Sequence, residues 1–197
     1  MNKLNKILQA DAIWNWYDLE MLRKEVKTAD MANYIDRVGY IRKYARIINT
    51  YLPEYVGDIS RDILDIGCNN GVFIELMRTL EHRVKGIEKT KSPFMPFYKQ
   101  SRISVDCIDV QKMPFSYKDN TFHVVTSIGV ITEWYKPADW EKFLNELFRI
   151  ARRTIVLGVK YNTIYKENKA IIDDFKLPKK WDLVVHNGSF YKWSCAE

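Results

Sequence analysis

The run Leu64-Asp65-Ile66-Gly67-Cys68-Asn69-Asn70-Gly71 sets two glycines four residues apart, where a short apolar stretch gives way to an amphipathic one. A strand that turns tightly into a helix needs such residues. Glycine accepts backbone angles closed to other residues and lets a ligand approach the main chain, while the helix behind it offers free N–H groups and the positive end of its dipole. A nucleotide-like ligand suits that chemistry. The spacing is not that of a pyrophosphate loop, because Asn69 stands where Gly-x-Gly-x-x-Gly has its middle glycine, and no GxxxxGK[ST] phosphate loop occurs. Twenty-one residues after Gly67, at the expected end of a second strand, Glu88 offers a carboxylate to both hydroxyls of a ribose. Asp109 follows a third expected strand and precedes Met113-Pro114-Phe115, where it could accept from an adenine amino group.

These residues share one sheet edge only if the chain alternates strands and helices. From residue 1 to about 57 the pattern is helical: Leu4, Ile7, Leu8, Trp14, Trp16, Tyr17, Leu19 and Leu22 suggest one or two short helices. Val38, Ile41, Ala45, Ile48 and Leu52 then recur at three- and four-residue steps, building one apolar helix face that Pro53 ends. We expect residues 1–57 to form a helical cap within the same domain as a core at 58–197. In that core Ile63–Ile66, Val84–Glu88, Ile103–Ile108, Phe122–Ile128 and Thr154–Val159 read as strands. Phe73, Leu76, Met77 and Leu80 mark one intervening helix face, and Trp140, Phe143, Leu144, Leu147, Ile150 and Ala151 another. The alternation predicts a parallel sheet with right-handed crossovers. At the end, Trp181–His186 and Ser189–Trp193 flank Asn187-Gly188, a dipeptide suited to a two-residue type I′ hairpin turn, so one strand must run antiparallel. The expected class is α/β: a doubly wound, mostly parallel seven-stranded sheet with N-terminal helices and a C-terminal antiparallel hairpin.

Composition narrows the alternatives. At 197 residues, with 47% hydrophobic and 28% charged, the chain reads as one globular domain rather than a disordered segment. No apolar stretch approaches the roughly 18 residues of a membrane span, and the polar start Met1–Lys6 does not read as a secretory signal, which predicts an intracellular, cytoplasmic protein. Cys68, Cys107 and Cys195 are widely spaced and odd in number, and His82, His123 and His186 are scattered, so neither a disulfide framework nor a metal site is expected. The net charge of +6 is spread along the chain, and Arg152-Arg153 and Lys179-Lys180 read as solvated faces.

On these residues the sequence resembles the class I S-adenosylmethionine-dependent methyltransferases of compact, small-molecule type. The resemblance runs from about Ile63 to Val159, on LDIGCNNG, VKGIE, IDVQKMPFSYKDNTFHVVTSIGVI and FLNELFRIARRTIVLGV taken in order. It implies S-adenosylmethionine as cofactor, with Asp65, Gly67, Cys68, Asn69 and Gly71 in the loop around its methionine part. It further implies Glu88 at the ribose, Asp109 and Val110 at the adenine, and Ser127 and Ile128 bordering the transferred methyl. Asn69 replaces a common glycine, but asparagine tolerates a left-handed turn better than other side chains. His123 replaces the usual Asp of a Phe-Asp-Val-Val run, and Thr132-Glu133 a frequent Glu-His pair. Glu133, His123 and Tyr17 are the candidate bases, required only if the acceptor is a hydroxyl. An Asn/Asp-Pro-Pro-aromatic motif, expected for nucleobase amines, is absent at Ser127-Ile128-Gly129-Val130. The expected acceptor is therefore a small metabolite, a sugar or a glycan end. Structured RNA is the runner-up, resting on mild basicity, and a non-catalytic S-adenosylmethionine-binding regulator is a third reading.

Overall fold

A computed structural model describes residues 37–57, 59–89, 102–130, 137–159 and 169–196. Among the described residues, the helices α1 (Arg37–Tyr51), α2 (Val72–Thr79) and α3 (Pro137–Ile150), with a short 3-10 turn at Pro53–Tyr55, accompany seven strands. These are β1 (Asp62–Ile66), β2 (Arg83–Glu88), β3 (Val105–Cys107), β4 (Phe122–Ile128), β5 (Ala151–Gly158), β6 (Trp181–His186) and β7 (Phe190–Cys195). They form one sheet in the order β3-β2-β1-β4-β5-β7-β6. The pairings β2/β3, β1/β2, β1/β4 and β4/β5 are parallel, while β7 runs antiparallel to both β5 and β6. The chain leaves β1 toward β2 on one side and returns to β4 on the other. That reversal opens a crevice at the carboxyl ends of β1 and β4, where open α/β sheets receive ligands.

Strand side chains alternate between faces, and the core divides accordingly. Ile63, Val124 and Val156 lie in one buried cluster with Ala45, Ile48 and Leu52 near α1 and Phe73 and Met77 of α2. Leu64, Ile66, Val125, Ile155 and Leu157 lie in the other, with Trp140, Phe143, Leu144 and Leu147 of α3. Apolar residues on both faces explain why the strands read as short continuous apolar runs. Both expected helix faces are buried: Phe73, Leu76, Met77 and Leu80 on α2, and Trp140, Phe143, Leu144, Leu147 and Ile150 on α3. Ala45, Ile48 and Leu52 are buried as the apolar periodicity required. The short helices expected before residue 37 lie outside the described residues.

Two local expectations are corrected. The third strand spans Val105–Cys107 alone, because it is a sheet edge paired only with β2. The C-terminal hairpin is not closed by a two-residue type I′ turn. Asn187–Ser189 separate its strands, and of these only Gly188 has a positive φ, +70°. Asn187 Nδ2 instead donates to Tyr51 Oη, tying the turn to α1.

Candidate functional site

The turn after β1 takes left-handed backbone angles at alternate residues: Gly67 (φ +71°), Asn69 (φ +48°) and Gly71 (φ +72°). The N–H groups of Gly67 and Cys68 donate to the Ile87 carbonyl, at 2.8 and 3.0 Å, which pins the turn to β2. A Cβ on Gly67 would overlap the Val130 side chain, so glycine is required there for close packing as well as for its angle. Asn70 Oδ1 accepts the Val72 N–H at 3.3 Å and starts α2. The Cys68 side chain is buried against Gly86, leaving its backbone as the part that faces the turn.

At the end of β2, Glu88 is half-buried. Its Oε2 accepts the Asn69 N–H at 2.9 Å and its Oε1 the Lys89 N–H at 3.0 Å. A carboxylate has about four lone-pair positions, so acceptor capacity remains on both oxygens. The Ile108 N–H donates to the Glu88 carbonyl at 2.9 Å, which brings the segment carrying Asp109 and Val110 beside it. Asp109 Oδ1 accepts the Gln111 N–H at 3.1 Å, and half-buried Val110 packs against the core under α3. Asp106, its near neighbour in sequence, is engaged elsewhere: it accepts the Tyr117 hydroxyl proton at 2.5 Å and pairs with Lys85 at 2.8 Å.

Polar side chains also interrupt the apolar run of β4. Asp65 is 3% exposed and accepts from Thr126 Oγ1 at 2.7 Å; burial, with Glu88 adding to it, pushes its carboxyl up to about 7. Ser127 is buried, and among the described residues its hydroxyl has no hydrogen-bond partner. Ile128 is half-buried at the strand's end. Sequence reasoning missed Thr126 as the partner of Asp65, and Val130 as the residue that crosses Gly67. A Thr-Ser pair inside Phe-His-Val-Val-Thr-Ser-Ile was the available signal, since buried hydroxyls need partners.

The turn, Glu88, Asp109, Val110, Ser127 and Ile128 thus gather at the carboxyl edge, whereas His123 does not. It lies at the start of β4, where its Nδ1 accepts the Asp62 N–H at 3.4 Å, five positions before Ile128. At roughly 3.3 Å per residue that is about 17 Å. Its reading as a base is therefore corrected: the Phe-His-Val-Val run enters the strand from the opposite edge. Glu133 and Tyr17 lie outside the described residues.

Residues 63–154 match the family model described as a methyltransferase domain. Among solved structures, the N-methyltransferase NodS from Bradyrhizobium japonicum WM9, in complex with S-adenosyl-l-homocysteine, aligns with 91% of this chain and 98% of its own (14% identity, TM-score 0.62). Magnesium protoporphyrin IX methyltransferase from Synechocystis PCC 6803, with the same ligand, aligns with 98% of this chain and 100% of its own (10% identity, TM-score 0.59). A SAM dependent methyltransferase from Archaeoglobus fulgidus aligns with 78% and 92% respectively (15% identity, TM-score 0.56). At these identities the structural likeness speaks for the fold. No curated protein matches the chain.

Proposed function

We propose that the chain is a class I S-adenosylmethionine-dependent methyltransferase, as its match to a methyltransferase-domain model over residues 63–154 supports, and that it methylates a small metabolite, a sugar or a glycan end. The observation that carries the reading is the convergence of the Gly67–Gly71 turn, Glu88 and the partnerless Ser127 hydroxyl on the β1/β4 crevice. These residues fit S-adenosylmethionine. Glu88 keeps acceptor capacity toward a pair of ribose hydroxyls, and a buried hydroxyl without a partner is a costly feature that a polar ligand group would relieve. When bound, the cofactor supplies an electrophilic methyl on its sulfonium.

The work left to the protein is positioning. Glu88 would hold the ribose by charge-assisted hydrogen bonds, with Asp109 and Val110 beside the adenine. Asp65, Gly67, Cys68, Asn69 and Gly71 would hold the methionine part, chiefly through backbone of the turn. Ser127 and Ile128 would border the methyl and keep water from it. A base is needed only for a hydroxyl acceptor; Glu133 and Tyr17 are the residues we propose for it.

The absence of an Asn/Asp-Pro-Pro-aromatic segment at 127–130 supports a small acceptor over a nucleobase amine. The neighbours named as acting on a porphyrin and as an N-methyltransferase are compatible with that class. The test is production of S-adenosylhomocysteine across a panel of metabolites, sugars and RNAs. Turnover with a small acceptor supports the proposal, and turnover with RNA alone overturns it.

A further inference from the structure

The amino edge of the sheet, opposite the cofactor crevice, carries a second polar concavity. β4 and β5 are in register at Phe122↔Ala151 and again at Val124↔Thr154, so two residues of β5, Arg152 and Arg153, stand opposite His123 alone. Consecutive strand residues normally point to opposite faces. This bulge removes that alternation, and both arginines line one cavity of about 380 Å³ together with Arg61, His123, Cys195 and Ala196. A second cavity of about 300 Å³ shares Arg61, Arg153 and Cys195, and adds Tyr55, Thr154, Ser194 and Glu54.

Charge does not balance there. Among the described residues the guanidinium groups of Arg61 and Arg152 have no ion pair. Among the described residues the nearby carboxylates have closer partners: Asp62 pairs with Arg83 at 2.6 Å, while also feeling Arg152 and His123, and Glu54 pairs with Lys192 at 2.6 Å. His123 is held below the ordinary histidine range by burial and then by Arg152 and Arg61, which favours its neutral form and adds no charge to the cavity. The neutral lining is polar too, with Ser194 and the bonded pair of hydroxyls Tyr55 and Thr154, 2.8 Å apart. Two guanidinium groups without an ion pair, Arg61 and Arg152, lining one concavity repel each other and favour an anion between them.

We propose that this concavity is a binding site for a small phosphate-bearing ligand, separate from the cofactor crevice. Guanidinium forks match phosphate oxygens in two-point hydrogen bonds, and Arg152 from the bulge and Arg61 from the residue before β1 each supply one to the same cavity. The opening is large enough for a pyrophosphate or sugar-phosphate group. β4 spans the sheet between the two edges, about 20 Å at 3.3 Å per residue, so occupancy of one site leaves the other accessible.

The probe is inorganic pyrophosphate, titrated calorimetrically into the full-length protein at low and at moderate ionic strength. Binding is expected, weakening as salt rises, and weakening at least tenfold in Arg61→Gln/Arg152→Gln, while S-adenosylhomocysteine affinity is unchanged in that variant. If the double variant does not fold, Arg152→Gln is used alone. Cys195 gives an independent readout in the unsubstituted protein: pyrophosphate should slow its alkylation and leave that of Cys107 unaffected. No pyrophosphate binding, binding that survives the substitutions, or no protection of Cys195 would each overturn the proposal. So would retention of a short RNA without retention of pyrophosphate, which would mark an extended nucleic-acid surface instead.

Discussion

The Glu88 carboxylate accepts the backbone N–H of Asn69 at 2.9 Å, so the acidic end of β2 and the left-handed turn after β1 are tied by one side chain. A residue in that position fixes the loop and keeps acceptor capacity that the proposed ribose hydroxyls would use.

Glu88→Ala is therefore expected to lower affinity for S-adenosylhomocysteine roughly ten- to a hundredfold, or about 1.5 to 3 kcal/mol, the range for hydrogen bonds to a charged group. Glu88→Gln should fall between, because its amide oxygen still accepts from Asn69 while the charge is lost. Calorimetry on the three proteins checks the order; equal affinities would remove Glu88 from the ribose position.

Gly67→Val should abolish donor binding and Asn69→Gly should not. The valine would combine a β-branched side chain, a φ of +71° and overlap with Val130, whereas glycine at 69 only relaxes a φ of +48°. Pairing Gly67→Ala with Val130→Ala should recover part of the melting temperature lost by Gly67→Ala alone, since the overlap is relieved and the angle is not. If Asn69→Gly is the more damaging change, the asparagine side chain is itself a ligand.

Much of this was legible in the sequence because it is written in period and in glycine. Short apolar runs located the buried parallel strands, Asn187-Gly188 located the terminal hairpin, and Leu64–Gly71 located the turn, because buried parallel strands tolerate few residue types and left-handed angles fewer still. Tertiary choices were less visible. His123 looked like a member of the β4 motif, but which end of a strand carries the chemistry depends on sheet direction, and it falls at the amino edge. Asn187-Gly188 suggested the tightest turn; the contact of Asn187 with Tyr51 on a distant helix favours a longer one. Arg152-Arg153 read as a solvated face because a charge run usually is one and the fifth strand was expected only from Thr154; the strand begins at Ala151, and the bulge that sets both arginines opposite His123 is not encoded in residue type.

The segment between β3 and β4 is held by Arg149, which donates to the carbonyls of Tyr117 (2.7 Å) and Phe115 (3.1 Å), to Asp119 (2.7 Å), and through Nε and Nη2 to both oxygens of Glu146 (2.7 and 2.6 Å). Glu146 is 5% exposed and also accepts the Phe115 N–H at 2.7 Å. Arg149→Met would strand that buried carboxylate, and a loss of about 2 to 4 kcal/mol is expected. Adding Glu146→Gln should restore part of it, because the neutral amide still accepts from Phe115. Urea midpoints at constant slope measure both effects, and additive losses would show that the two residues do not act as a pair.

Asp65 gives a pH dependence of defined sign. Its carboxyl titrates near 3.8 when unperturbed and is pushed up to about 7 in the fold, mainly by burial. Below 3.8 it is protonated folded or unfolded, and its contribution to stability is fully present. Between 3.8 and 7 the unfolded chain ionises while the folded one does not, so stability falls as pH rises through that window. Asp65→Asn keeps a neutral group of the same shape that can still accept from Thr126, and it removes the titration. The variant should therefore melt close to the parent at pH 4 and increasingly above it up to pH 8. The ceiling is roughly 4 kcal/mol, or several degrees for a chain of this size. Because all other titrating groups are common to both proteins, the difference in melting temperature isolates Asp65. A difference that stays flat from pH 4 to pH 8 would mean that the Asp65 carboxyl ionises normally and that its contact with Thr126, rather than its burial, governs its charge.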